Sequence, residues 1–417
     1  MKLSPSFFRA VRPLFQRNML ICLLIGFSSG LPLWLILNLL PAWLADSNIS
    51  LKTIGAMSLI MLPYTWKFLW APVVDRIRLP LGRRRGWMWL SQLALLVCMA
   101  TYGQLNPRLD MQLIVLLSVI VAVLSATQDV AIDAYRRELL DDEVLGLGNA
   151  LHVNAYKLAS LVPGSLGLIL ADHLPWDAVF FITALFMLPG LITSLCIKEP
   201  ENLAPPASLR AATVEPLLEF ITRRGWKTAV LILLFTLLYK LGDSMATALA
   251  TPFYLEMGYS KSEIGQVAKV AGLTASILGG LAGGLWMVQL GIHRALWLFG
   301  IAQAVPILGF AYLAVSPHDI LLLGGVIGLE AFGTGMGTTA FVAFIASQTD
   351  RRYSATQFAL LTSLSAVPRS LVNASTGWLV ESIGWFDFFL LCALMAAPGM
   401  LLLYKVAPWP GKNRDIG

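Results

Sequence analysis

"MQLIVLLSVIVAVLSATQDVAIDAY" occupies residues 111–135, and its reading decides the fold. It opens as nearly pure hydrocarbon and closes with Gln128, Asp129 and Asp133. A helix needs roughly 20 apolar residues to cross a bilayer, so this stretch is predicted to cross one. A carboxylate at such a helix centre costs roughly 2.5–3.5 kcal/mol on insertion scales. Each of these acids therefore calls for a function.

The rest of the chain repeats the pattern. Of 417 residues, 57% are apolar and 13% are charged, and mean hydropathy is +0.72. Water alone cannot solvate such a composition, so the bilayer is part of the solvent. Twelve spans are predicted, at 19–44, 51–73, 87–105, 110–135, 146–172, 176–197, 228–253, 261–288, 294–315, 318–347, 354–382 and 385–405. The class is an all-α membrane protein.

Basic residues alternate between the loops. Arg76, Arg78, Arg83, Arg84 and Arg85 follow the second span, and Arg136 and Arg137 the fourth. Lys198, Arg210, Arg223, Arg224 and Lys227 lie in the central loop, whereas the opposite loops hold Lys52, Arg108 and Lys261. The asymmetry predicts both termini on the cytoplasmic side. The net charge of +6 is then a topology signal, scattered over short loops in a way that does not suit nucleic acid. Cys22, Cys98, Cys196 and Cys392 all fall in spans without metal-ligand spacing and read as packing residues. No metal is expected. The long first span without a small-residue cleavage site reads as an uncleaved anchor. Trp34, Trp87, Trp226 and Trp385 are assigned to the interfacial belt.

The chain divides in two. "SLKTIG" ends at Gly55 and "SKSEIG" at Gly265, an offset of 210. Pro41 and Pro252 are 211 apart, and "SLGLILADHLPW" (165) recurs as "STGWLVESIGW" (375). Arg136-Arg137 returns as Arg351-Arg352 at 215. Residues 1–197 and 228–417 are thus predicted to be duplicated six-helix halves. The resulting twelve-helix pseudo-symmetric architecture resembles the major facilitator superfamily, with a midplane site between the halves. Residues 198–227 form a linker, in which Val214, Leu217, Leu218 and Ile221 share one side of an amphipathic helix. That helix is expected either on the membrane surface or packed on the protein.

Polar residues follow helical spacing. Ser125, Asp129 and Asp133 form one stripe, and Asn149, His152 and Tyr156 another, beside Lys157. Thr236, Lys240, Asp243 and Thr247 line the seventh span, and Thr362, Ser365, Arg369, Asn373 and Thr376 the eleventh. One polar stripe per helix means several helices facing one wet cavity. Alternatives stand beside this reading. Lys240 and Asp243 at i, i+3 neutralise each other, Asp133 pairs with Arg85 or Arg136, and Glu330 meets Lys269 across helices. "GGLAGG" (279–284) and "GTGMG" (333–337) permit close helix packing, and no strand or lysine makes the latter a phosphate loop. His152, His173, His293 and His318 show no metal spacing, and no nucleophile motif is present, which disfavours an enzyme.

"GFSSGLPL", "LKTIG", "KFLWAPVVDR", "GRRRGW", "SATQDVAIDA", "LYKLGDS" and "SATQFALLTSLSAVPR" resemble, in this order, the AmpG family of muropeptide permeases, from about residue 15 to 405. The resemblance implies proton-driven import of GlcNAc-anhydroMurNAc and its peptides from periplasm to cytoplasm, across the inner membrane of a Gram-negative bacterium. Many of that family carry two further helices after the twelfth span, where this chain ends in "KVAPWPGKNRDIG". The short form leaves a siderophore importer of the RhtX and FptX type as the alternative. On this reading Tyr64, Gln128, Asn149, Tyr156 and Asn373 contact the sugar, and Lys67, Lys157, Lys240 and Arg369 the peptide carboxylates. Asp129 or Asp133 carries the proton, with Asp243 and Glu330 as further candidates; a carboxyl in low dielectric holds a proton more readily. Asp75 with Arg83, Arg84 and Arg85 forms the signature loop that gates the two halves. The expected partners are an anionic glycopeptide, a proton and lipid. The proton gradient is the energy source, no cofactor is expected, and the unit is expected to be a monomer.

Overall fold

The computed structural model describes residues 14, 16–49, 53–54, 57–199, 208–260, 263–264, 267–373 and 375–409; the side chains of 58, 209, 210, 268, 269, 367–371 and 373 stand outside that description. Helix α1 is Arg17–Asp46, and α2 covers 57–76. Next come α3 (Arg85–Thr101) and α4 (Met111–Leu139), then α5 (Asp142–Ala171) and α6 (Trp176–Cys196). The linker holds α7, Leu209–Arg224. The second half contains α8 (Trp226–Glu256), α9 (268–290), α10 (292–314), α11 (Ile320–Gln348) and α12 (Ser354–Asn373), then α13 (376–383) and α14 (385–406).

Eight helices among the described residues are long and apolar enough to cross a membrane, against twelve predicted spans. The difference has local causes. Pro63 and Pro72 break α2 into short α and 3₁₀ turns, and α3 has only 17 residues. Helices α9 and α10 run on through Gly291 (φ 73°) and count as one, α12 is more polar than the other spans, and α13 and α14 run on through Gly384 (φ 79°). Glycine adopts this left-handed backbone freely, so one residue reverses the chain.

Small residues set the helix spacing. A Cβ at Gly26 or Gly30 of α1 would lie 2.6 and 2.4 Å from the His152 and Tyr156 carbonyl oxygens of α5. In "GGLAGG", Gly279 and Gly283 press on Phe332 and Met336 of α11, while Gly280 and Gly284 press on Asn154 and Ala150 of α5. Two stripes offset by one residue thus bind α9 within its own half and across to the other. The "GTGMG" glycines Gly333 and Gly337 receive α10 at Ala302 and Gln303. Gly30→Ala is expected to cost about 1–3 kcal/mol by overpacking, read as a lowered unfolding temperature in detergent.

The cores are distributed unevenly along the bundle. At the arginine-bearing end one apolar cluster spans both halves, joining Cys22, Leu145 and Leu151 to Phe235, Phe299, Phe344 and Phe358. At the opposite end each half has its own: Trp43, Tyr102 and Phe180 in the first, Phe253, Phe310 and Phe389 in the second. The halves are therefore closed on each other at the arginine-bearing end and separate towards the other.

Helix α7 packs on the protein through Ala212 and Phe220. Tyr353 and Gln357 donate to its Glu215 and Glu219, and Arg223 donates to the Gln348 carbonyl. Val214, Leu217, Leu218 and Ile221 stay exposed on the other side.

Candidate functional site

The closed end is held by ions. Asp75, fully buried at the end of α2, accepts from the backbone N–H of Thr356 (2.8 Å) and from its hydroxyl (2.6 Å). Those groups belong to the first turn of α12, whose N–H groups have no partner within the helix. The acid of one half thus caps a helix of the other, where the helix dipole favours negative charge. The other Asp75 oxygen accepts from Arg84 Nη2 at 2.6 Å. Arg84, also fully buried, donates to Glu138 (2.7 Å) and to the Ser354 hydroxyl (3.0 Å), and Ser354 donates to Glu138 (2.6 Å). Burial works against the Arg84 charge, but Glu138 and Asp75 outweigh it and hold its pKa above the ordinary arginine value. Arg83 adds Glu138 (3.1 Å) and the Arg352 carbonyl (3.4 Å) across the halves.

Arg85 stands outside this clamp. It caps the end of α6 through the carbonyls of Ser194 and Leu195 and takes Glu199 on its backbone N–H, all within one half. Glu138, the centre of the clamp, was missed in the sequence. Its signal was an acid directly after the Arg136-Arg137 pair.

Above the clamp the first half carries Asp133, paired with Arg136 (2.8 Å) and Lys67 (3.7 Å). The i, i+3 pairing with Arg136 is thus formed. Asp129, one turn deeper, accepts the Ser29 hydroxyl and has no cation at ion-pair distance among the described side chains. Tyr64 and Tyr156 stand near enough to feel its charge. Gln128 donates to Ser28 (3.2 Å). Gln128 Oε1, Asn149 Oδ1, His152 Nδ1 and the Asn154 amide have no hydrogen-bond partner among the described residues. So many unpartnered polar atoms between helices are costly unless a polar ligand or water meets them. The Asn149 amide nitrogen, by contrast, bonds its own helix at Leu145. Trp34, assigned to the interfacial belt, is half-buried in the middle of α1 and donates to the Tyr156 carbonyl of α5 at 3.0 Å.

In the second half Lys240 pairs with Asp243 (2.8 Å) and donates to Gln303 (3.0 Å). The Thr334 hydroxyl lies 2.6 Å from Asp243 and 2.9 Å from Glu330. Lys240, Asp243, Ser244, Thr247, Thr334 and Thr338 line a cavity of about 380 Å³. From the first half Lys157 reaches the Ser276 hydroxyl of α9. Arg369 and Asn373 belong to α12, but their side chains lie outside the described residues, as does that of Lys269.

Beyond the Lys157–Ser276 contact a cleft of about 450 Å³ opens between the halves. Helices α1, α5 and α9 line it where each is widened by a π turn: Leu35–Leu39, Val162–Leu166 and Ala268–Gly272. Leu37, Asn38, Gly164, Ser165 and Val270 belong to both turns and cleft. Such turns concentrate at functional sites. They shift the helix register, so side chains and carbonyls reach a ligand that a regular helix would not present.

Comparison with known proteins fits this arrangement. Residues 22–373 match the family model described as Major Facilitator Superfamily. An uncharacterized protein of Haemophilus influenzae is 47% identical over 96% of this chain and 97% of its own. The anhydromuropeptide permease of Escherichia coli K12 is 42% identical, covering 93% of this chain and 79% of its own. A putative transporter, AmpG 4, of Rickettsia felis is 33% identical over 91% and 94%. Among solved structures, the human organic anion transporter MFSD10 superposes with a TM-score of 0.70 over 96% of this chain and all of its own; at 18% identity this shows the fold alone.

Proposed function

The chain belongs to the AmpG family of the major facilitator superfamily, a multi-pass inner-membrane transporter and not an enzyme, and we propose that it imports anhydro-muropeptides from periplasm to cytoplasm with protons. The arginine-bearing end is cytoplasmic in this reading, with both termini on that side. The cleft lined by the π turns is then the periplasmic entrance. The observation that carries the proposal is Lys157 where it crosses to Ser276 and Lys240 on the cavity of the second half, together with the unpartnered polar atoms of the first, in a chain so similar to a named anhydromuropeptide permease. A glycopeptide offers hydroxyls for those atoms and carboxylates for the lysines.

Transport is by alternating access of a monomer. The substrate enters the cleft, its anionic groups draw Lys157 from Ser276, and the contact between α5 and α9 loosens. The clamp around Asp75, Arg84 and Glu138 then opens on the cytoplasmic side. Asp129, without a cation of its own, carries a proton inward. One charge moving through 100 mV is worth roughly 2.3 kcal/mol, about fiftyfold in accumulation.

Two measurements test the proposal. Cells lacking their native permeases, expressing this chain, are offered labelled GlcNAc-anhydroMurNAc-tripeptide and, separately, a labelled ferric siderophore. Uptake of the muropeptide alone is expected; uptake of the siderophore alone would overturn the reading. Lys157→Ala is expected to lower muropeptide uptake at limiting concentration about 10- to 100-fold, the worth of one hydrogen bond to a charged group. The amount of folded protein in the membrane should not change. Wild-type uptake by that variant would remove Lys157 from the substrate site.

A further inference from the structure

Thr334 touches two carboxyl groups with a single hydroxyl. Its oxygen is 2.6 Å from Asp243 Oδ1 and 2.9 Å from Glu330 Oε1. A hydroxyl has one hydrogen to donate. It can give that hydrogen to one carboxylate, and its contact with the other is favourable only if that carboxyl donates in return. One hydroxyl oxygen thus holds the two carboxyls side by side. Two like charges in contact inside a bundle do not both ionise. Lys240 stands 2.8 Å from Asp243 and settles which is the anion. Glu330 has no cation at ion-pair distance among the described side chains and is therefore the protonated member.

We propose that Asp243, Thr334 and Glu330 form a second proton site, in the C-terminal half, whose filling is tied to the substrate's negative charge through Lys240. The inference rests on the transport reading above. Lys240 is the shared cation. In the structure it neutralises Asp243, and it also lines the cavity of about 380 Å³ with Asp243 and Thr334. A carboxylate entering that cavity competes for the ammonium. As Lys240 turns to the substrate, Asp243 loses its counter-ion and takes a proton. The relay is already in line: Thr334 passes its hydrogen to Asp243 and receives the Glu330 hydrogen. One O–H bond forms and one breaks at each step, and Glu330 is refilled from water in the cleft. One proton is gained for each substrate charge held at Lys240. Other groups around the pair are Tyr239 and Tyr254 on α8, Gln303 on α10 and Lys157 across from α5. Lys157 lies within electrostatic reach of both carboxyls, and it is itself assigned to the substrate.

The test counts protons. The purified chain in lipid nanodiscs, weakly buffered with a pH-indicator dye, is titrated with GlcNAc-anhydroMurNAc-tripeptide. The wild type is expected to take up protons on binding. At saturating ligand, Asp243→Asn should take up about one proton fewer per ligand bound, whereas Thr334→Val, which keeps the shape and removes the hydroxyl, and Glu330→Gln should take up the same number more slowly when the dye is followed by stopped flow. Thr334→Ser should restore the rate. Lys240→Met should bind more weakly and also lose that proton. A wild-type proton count in Asp243→Asn, or wild-type uptake rates in both Thr334→Val and Glu330→Gln, would overturn the second site. If the wild type does not bind the muropeptide at all, the substrate reading fails instead.

Discussion

Asp129→Asn is expected to lower the accumulation ratio of muropeptide about fiftyfold at a membrane potential of 100 mV. Asp129 differs from its neighbours in what surrounds it. Asp133 already has Arg136 and Lys67 as ion-pair partners. Asp129 has a hydroxyl from Ser29, two tyrosines nearby and no cation at ion-pair distance among the described side chains. Asparagine keeps the size and the hydrogen-bond acceptor but cannot take up and release a proton. Net uphill uptake loses the work of one charge, whereas exchange of internal for external substrate needs no net proton and should survive. Both are measured in vesicles loaded with unlabelled substrate. Accumulation of wild-type size in the variant would show that the proton bypasses Asp129. Asp133→Asn should instead impair accumulation and exchange alike, because it leaves Arg136 and Lys67 without their partner.

Asp75→Asn is expected to shift the resting equilibrium from closed to open at the cytoplasmic end by roughly 10- to 100-fold. The shift comes from the two bonds that Thr356 makes to a charged acceptor across the halves. Hydrogen bonds to charged groups are worth about 1.5–3 kcal/mol, and an amide oxygen gives about half. Arg84 and Glu138 remain, so the loop should keep its fold. Thr356→Val removes the hydroxyl bond from the other side of the interface and should move the equilibrium in the same direction by less. Distances between spin labels on the cytoplasmic ends of the two halves report the shift. Distributions identical to the wild type in both variants would remove the clamp from gating.

Much of this architecture is legible in the sequence because lipid simplifies the code. Spans follow from length and hydropathy, and the repeat near offset 210 follows from short matched segments. The pairs Lys240–Asp243 and Asp133–Arg136 are readable because i, i+3 neighbours share a helix face. The glycine runs announce close packing, though not that one run serves two helices. What stayed hidden depends on geometry that no local pattern carries. Three adjacent arginines at a turn give no sign that Arg84 turns inward to Glu138 while Arg85 turns to the end of α6. Thr356 lies 281 positions from Asp75, and Thr334 lies 91 from Asp243. A threonine in an apolar span looks like any other until the facing helix is placed. The π turns are likewise silent, since one extra residue per turn leaves hydropathy unchanged. Trp34 was misplaced for a related reason: its indole belongs beside the widened turn of α1, not at a membrane boundary.

The most direct test of proton-driven muropeptide import uses the purified chain in liposomes with no other protein. An inward-directed pH gradient, alkaline inside, is imposed, and labelled GlcNAc-anhydroMurNAc-tripeptide is followed with time. The account expects the label to rise inside above its outside concentration and to fall back to equality when a protonophore is added. Entry that never exceeds equality, or accumulation that persists after the protonophore, would contradict it.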